Sequence, residues 1–122
     1  MYATRLTERL AQVTQASAMF LLVPSVVASQ QAHAALMQDP SCGDIFSYYN
    51  KLSILLVGIG SISPSRLLRD SGNFLGANDI EELRAAGAVG DVCLRFFDQT
   101  GQFVNSSFDQ RVMGISAAQI QA

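Results

Sequence analysis

The residues of this chain whose types and spacing suit chemistry gather at two glycine-rich elements. The first is Gly58-Ile59-Gly60-Ser61, which follows the apolar run Ile54-Leu55-Leu56-Val57. Two glycines directly after such a run let the backbone turn sharply and approach a ligand with no side chain in the way. Backbone N–H groups and the Ser61 hydroxyl are then placed to bond a small polar ligand, helped by a helix predicted to start at Ser63. The second element is Gly87-Ala88-Val89-Gly90-Asp91. Asp91 begins a strand, and a carboxylate there can accept hydrogen bonds from hydroxyl donors of a ligand. Period-two alternation sets Cys93 on the face of Asp91. Gly58, Gly60, Ser61, Asp91 and Cys93 form the candidate binding set. Each has a plainer reading as well: a tight turn that needs glycine, a helix C-cap and close helix–strand approach, or a buried structural cysteine.

Other chemistries lack their parts. Gly58-x-Gly60 resembles the start of a dinucleotide fingerprint, but Ser63 stands where the third glycine belongs, and Asp79 and Glu81 open a helix rather than end a strand. His33 has no matching nucleophile, and no serine sits in a G-x-S-x-G elbow. Cys42, Cys93 and His33 do not complete a zinc set. No catalytic residue, metal site or cofactor is therefore assigned. Asp98 and Asp109 read as turn residues. Arg66, Arg69 and Arg84 suit a phosphate or a partner subunit, or else a solvated helix face.

The composition fits one globular domain. Of 122 residues, 49% are hydrophobic and 15% charged, and the net charge is −2. The eight Lys and Arg are scattered singly, so nothing is built to neutralise phosphates along DNA. Two isolated cysteines read as reduced, buried residues of a cytoplasmic protein. Ala18–Ala28 is apolar and precedes Ala32-His33-Ala34, the form of a signal cleavage site, but Glu8 lies in the supposed basic region and Pro24 splits the run. That run is also too short to span a bilayer.

Several elements must position the candidate set. Leu6, Leu10 and Val13 mark one face of a helix from Thr4 to about Ala16. Met19–Val23 is a strand candidate ending at Pro24, and Val26-Val27 continues the extended path. Ser29 caps a helix over Gln30–Gln38 that turns Ala32, Ala35, Leu36 and Met37 inward. Asp39-Pro40 interrupts it, and a second helix over Ser41–Asn50 presents Ile45, Phe46 and Tyr49. The run at 54–57 suits a strand buried on both faces, as in a parallel sheet. A short helix from Ser63-Pro64 to Arg69 and a turn at 70–73 follow. Asn78 and Glu81 form a capping box for a helix through Ala86, which Gly87 ends. Val92–Phe97 is a strand turning at Asp98-Gln99-Thr100-Gly101 into Phe103-Val104. Arg111–Ile115 is a further strand, and Ser116 starts a last helix. The expected class is α/β, a mostly parallel sheet flanked by helices with one antiparallel hairpin.

Leu56-Val57-Gly58-Ile59-Gly60-Ser61, Ser71-Gly72, Gly87-Ala88-Val89-Gly90-Asp91, Phe97-Asp98, Gly101 and Arg111-Val112-Met113-Gly114-Ile115 together resemble the effector-binding domain of SorC-family transcriptional regulators. Val23-Pro24-Ser25-Val26-Val27-Ala28-Ser29 resembles that family's proline-containing strand and loop. The resemblance runs over roughly Ala3–Ile120. It implies a Rossmann-like fold related to sugar-phosphate isomerases and deaminases. It implies a non-enzymatic role, a phosphorylated sugar as effector, a homo-oligomer, and DNA contact only through a domain absent from this chain. Relative to that family the chain lacks the DNA-binding helices, the Gly/Thr-rich loop before the first helix, and the downstream Gly-Gly loop with its lysine. Residues 1–122 are thus expected to be a single partial sensing domain. A sugar-phosphate isomerase or deaminase fragment, and a piece acting only in subunit association, are the alternatives.

Overall fold

The computed structural model describes residues 2–62 and 75–122. Helix α1 spans Tyr2–Thr14, α2 Gln30–Gln38 and α3 Pro40–Phe46, followed by a 3-10 turn at Ser47–Lys51. Strand β1 is Ile59–Ser61, helix α4 Ala77–Ala85, strands β2 and β3 Gly90–Val92 and Arg95–Phe97, a second 3-10 turn Ser107–Arg111, and helix α5 Ala117–Gln121. The expected helix Ser63–Arg69 and the turn at 70–73 lie outside the described residues.

Local chemistry sets most helix ends. The Ser29 hydroxyl accepts from Ala32 N–H at 3.1 Å and starts α2. Asp39 ends α2 in extended backbone and starts α3 by accepting from Ser41 N–H at 2.9 Å, with Pro40 inside the first turn. The helix expected over 41–50 is therefore a short α-helix that tightens into 3-10 geometry. At α4 the cap is Gly76, whose N–H donates to Asp79 Oδ2 at 3.0 Å, in place of the expected Asn78 and Glu81 pair. Gly87 ends α4 at φ +89, a left-handed conformation that glycine adopts without strain. Ser116 caps α5 and exchanges bonds with Gln119.

Two small cores lie on either side of one ladder. Val26 and Val112 form an antiparallel bridge, with Val27 N–H bonding Arg111 O at 2.9 Å and Met113 N–H bonding Ser25 O at 2.8 Å. Successive side chains on such a ladder face opposite ways. Val26 and Val112 accordingly join Leu83, Ala88, Phe96 and Phe108 in one cluster. Val27 and Met113 join Phe46 in the other, packed by Ala32, Leu36, Cys42 and Tyr49. Ala35 and Met37 of α2 remain exposed, contrary to the inward expectation. The strand expected over Arg111–Ile115 is not formed among the described residues: Arg111 ends a 3-10 turn that starts at Ser107, only Val112 makes a bridge, and Gly114 lies in a bend.

The sheet differs from the expected class. Among the described residues it has three strands in the order β1-β2-β3, and both pairings are antiparallel. The stretch expected to be one strand from Val92 to Phe97 is broken by a two-residue turn, Cys93-Leu94, joining β2 to β3. The hairpin after Phe97 forms as expected, through a Phe97–Phe103 bridge and a Val104 N–H bond to Phe96 O at 2.9 Å. The apolar run before β1 is not buried. Ile54 is 75% exposed and Leu56 80%, and residues 54–58 pair with no strand among the described residues. Leu6 of α1 is 71% exposed, so the helix forms with its apolar stripe uncovered by the described residues. Met19–Val23, expected as a strand, belongs to none among the described residues, and Val23 lies in a bend. No helix among the described residues is long and apolar enough to cross a membrane.

Candidate functional site

The β1–β2 pairing brings the two glycine-rich elements together. Gly60 lies opposite Asp91, Ser61 opposite Gly90, and Ile59 opposite Val92. All three β1 residues are exposed, so the site is an open face of the sheet edge. Gly58 precedes the paired segment, and a β-carbon there would meet open space.

Asp91 organises this face. Its Oδ1 occupies the space that a β-carbon on Gly60 would need, and its Oδ2 accepts from Leu94 N–H at 3.0 Å. A β-carbon on Gly90 would sit 2.5 Å from the Gly60 carbonyl oxygen, so the two strands approach closely on both counts. Burial pushes the Asp91 carboxyl above its ordinary range, and the Leu94 N–H partly opposes that shift. One carboxylate oxygen thus holds the turn, while both retain acceptor capacity for hydroxyl donors.

Cys93 departs from the expected geometry. Strand β2 ends at Val92, and Cys93 sits in the turn at φ 53 beside Leu94 at φ 62. Two central residues at positive φ are what a type I′ hairpin turn requires, usually supplied by Asn and Gly. Cys93 is exposed rather than buried, and period-two alternation does not carry its side chain beside that of Asp91. The Asp91 charge nonetheless reaches the thiol: partial desolvation against the turn first, then that charge, push it above the usual range. Such a thiol is a poor nucleophile. Cys42 is half-buried in the second core, and both cysteines are free.

Sequence reasoning passed over Arg95. It is buried at 8% exposure, with Nε donating to Ile115 O and Nη1 to Asp109 O, each at 2.9 Å. The one signal was its place in the otherwise apolar run Val92–Phe97. Asp109, read as a turn residue, is also Arg95's charge partner at 3.7 Å. Arg84 is exposed on α4. Arg66 and Arg69 lie outside the described residues. No group of three or more His, Cys, Asp or Glu is placed to hold a metal among the described residues.

A family model described as "Putative sugar-binding domain" matches residues 1–122, and the chain belongs to that family. The sorbitol operon regulator of Klebsiella pneumoniae is 31% identical over 101 residues, covering 80% of this chain and 31% of the regulator. The deoxyribonucleoside regulator of Bacillus subtilis is 27% identical over 115 residues, covering 93% of this chain and 36% of its own length. The crystal structure of the full-length sorbitol operon regulator SorC from K. pneumoniae superposes with a TM-score of 0.80 at 25% identity, over 95% of this chain and 37% of that one. The chain therefore spans about a third of the length of the curated relatives it matches.

Proposed function

We propose that this chain is the effector-sensing domain of a sugar-responsive bacterial transcriptional regulator. It binds a phosphorylated sugar or related carbohydrate at the β1–β2 face, and the regulator contacts DNA through a domain outside residues 1–122. The observation that carries the reading is the Asp91 carboxylate lodged over Gly60, because it sets a hydroxyl-accepting group against bare backbone. Membership of the sugar-binding family supports it. Gly58 and Ser61 extend the contact along β1, and Cys93 borders it from the turn.

The proposed domain is partial, and its complete form is a Rossmann-like, mostly parallel sheet. Exposure of Ile54 and Leu56 supports this, since strands covered on both faces read as continuous apolar runs. The role is binding rather than turnover. Among the described residues Asp91 bonds the Leu94 N–H and neither a second carboxylate nor a histidine, which favours binding over the paired acid–base work of an isomerase. The reading takes the protein as a cytoplasmic homo-oligomer, and the same uncovered apolar residues favour a part in subunit association.

Calorimetric titration of the full-length protein with a panel of sugar phosphates tests the reading. Saturable binding by at least one member, with a change in DNA affinity, is expected. No binding across the panel, or turnover of ribose 5-phosphate or glucosamine 6-phosphate, overturns it.

A further inference from the structure

The turn between β2 and β3 is held by its surroundings rather than by its own residues. Cys93 and Leu94 have φ 53 and φ 62, a region that residues with a β-carbon occupy only at a cost. Such backbone persists where neighbouring structure enforces it. The Leu94 side chain packs on the first core. The β2–β3 ladder ends at the Val92–Arg95 pair, and Leu94 N–H, inside the turn, donates to Asp91 Oδ2 at 3.0 Å. Arg95, the next residue, is buried and anchors the far end, with Nε donating to Ile115 O and Nη1 to Asp109 O.

Each end of this turn meets something that can move. The Ile115 carbonyl and the Ser116 N–H belong to one peptide group. Arg95 holds its oxygen, while its N–H donates to Gln119 Oε1 at 3.0 Å and the Ser116 hydroxyl accepts from Gln119 N–H at 3.1 Å. The orientation of that peptide therefore sets the cap of α5. At the other end, Asp91 Oδ1 fills the space beside Gly60 where a β-carbon would stand. A ligand atom that packs on Gly60 from this side needs the same space. Both carboxylate oxygens sit on one carbon, so turning Oδ1 aside also takes Oδ2 away from Leu94 N–H.

We infer that Asp91 is the catch of a strained turn, which links access to Gly60 with the grip of Arg95 on the 115–116 peptide. While the carboxylate rests on Gly60 it keeps Cys93 and Leu94 at positive φ, and Arg95 stays on Ile115. When the carboxylate is turned aside the turn relaxes, Arg95 shifts, and the start of α5 loses its fixed peptide. The two arrangements of this turn are the states that a ligand at Gly60 would bias. The inference rests on the β1–β2 effector reading only for the molecule that draws the catch; the coupling from Gly60 to Ser116 is a property of the chain alone.

Nuclear magnetic resonance of the full-length protein, labelled with ¹⁵N at arginine and serine, tests this without a ligand. Gly60→Ala puts a methyl group where the ligand would press, and Asp91→Ala removes the catch without adding volume. In both variants Arg95 Nε–H and Ser116 N–H are expected to exchange with solvent about tenfold faster, while Ser41 N–H, bonded to Asp39 in α3, keeps its rate. Adding Cys93→Asn, a residue that takes positive φ readily, is expected to restore both slow signals in the Asp91→Ala background. Unchanged exchange at Arg95 and Ser116 in Asp91→Ala overturns the catch, as does an equal rise at Ser41 or a failure of Cys93→Asn to restore the signals. Titration of the parent with ribose 5-phosphate and glucosamine 6-phosphate separates the two readings. Saturable binding that leaves Arg95 Nε–H unmoved overturns the catch and keeps the effector face. Variants that behave as stated, with neither sugar phosphate bound, support the catch and count against that face.

Discussion

Oδ1 of Asp91 lies where a β-carbon on Gly60 would have to be, across an antiparallel pair in which the two residues are direct partners. Gly60 is thus fixed by its neighbour's carboxylate, not by its own backbone angle. Substitution should show this coupling. Gly60→Ala forces the carboxylate to rotate away and give up Leu94 N–H, and a destabilisation of about 1–2 kcal/mol in urea melts is expected. In an Asp91→Ala background the same change should cost much less, giving a clear interaction energy in the double-mutant cycle. Equal costs in both backgrounds would mean that the two residues do not compete for the space.

Asp91 also sets a pH signature. Burial raises its folded pKa above the ordinary aspartate value, so the folded state holds a proton more tightly than the unfolded chain. The stability contribution is therefore largest at low pH and declines as pH rises through the folded value, leaving the ionised carboxylate as a cost at neutral pH. Asp91→Asn should be more stable than the parent at pH 7, with the gap closing as pH falls toward 4. Denaturation midpoints followed across that range check this; a constant gap would assign the effect to something other than ionisation.

The turn joining β2 and β3 carries strain that its sequence does not relieve. Cys93 and Leu94 both have positive φ, where side chains with a β-carbon are disfavoured. Cys93→Asn should stabilise the chain by about 0.5 kcal/mol, and the β-branched Cys93→Val should destabilise it by about 1 kcal/mol or more. Leu94 packs on the first core, so its replacement by Gly mixes relief of strain with lost burial and is a poorer test. Midpoints for the two Cys93 variants moving in the same direction would refute the strain.

A tie between α4 and the second 3-10 turn holds the first core closed. Arg111 pairs with Asp79, and Glu82 accepts from the backbone and hydroxyl of Ser107. Both members of the Arg111–Asp79 pair are largely withdrawn from solvent, so Arg111→Met leaves a carboxylate without its partner. A loss of about 3 kcal/mol is expected in urea melts. A change below about 0.5 kcal/mol, the size found for exposed pairs, would show that solvent replaces the arginine.

Much of this was legible in the residues, and the gaps have physical causes. The Ser29 and Ser116 caps, the Asp39-Pro40 break and the Gly87 stop are local signals, and the structure forms each of them. The pairing of Gly60 with Asp91 was foreshadowed by two glycine-rich elements, although their antiparallel register was not. A buried-looking run such as 54–57 reports what would cover it in a whole sheet, and the described residues do not supply that cover. The Cys93-Leu94 turn escaped notice because it contains neither glycine nor asparagine. Arg95 escaped because its partners are backbone carbonyls and Asp109, remote in sequence and brought near by the ladder at 111–113.

The most direct measurement of the central claim is a calorimetric cycle on the full-length protein, using a sugar phosphate that binds and its analogue lacking one hydroxyl. If Asp91 accepts from a sugar hydroxyl, removing that hydroxyl weakens binding to the parent by about tenfold and leaves binding to Asp91→Ala nearly unchanged. Asp91→Ala that retains full affinity, or that loses as much as the parent for every deoxy analogue tried, would contradict the assignment of the β1–β2 face as the effector site.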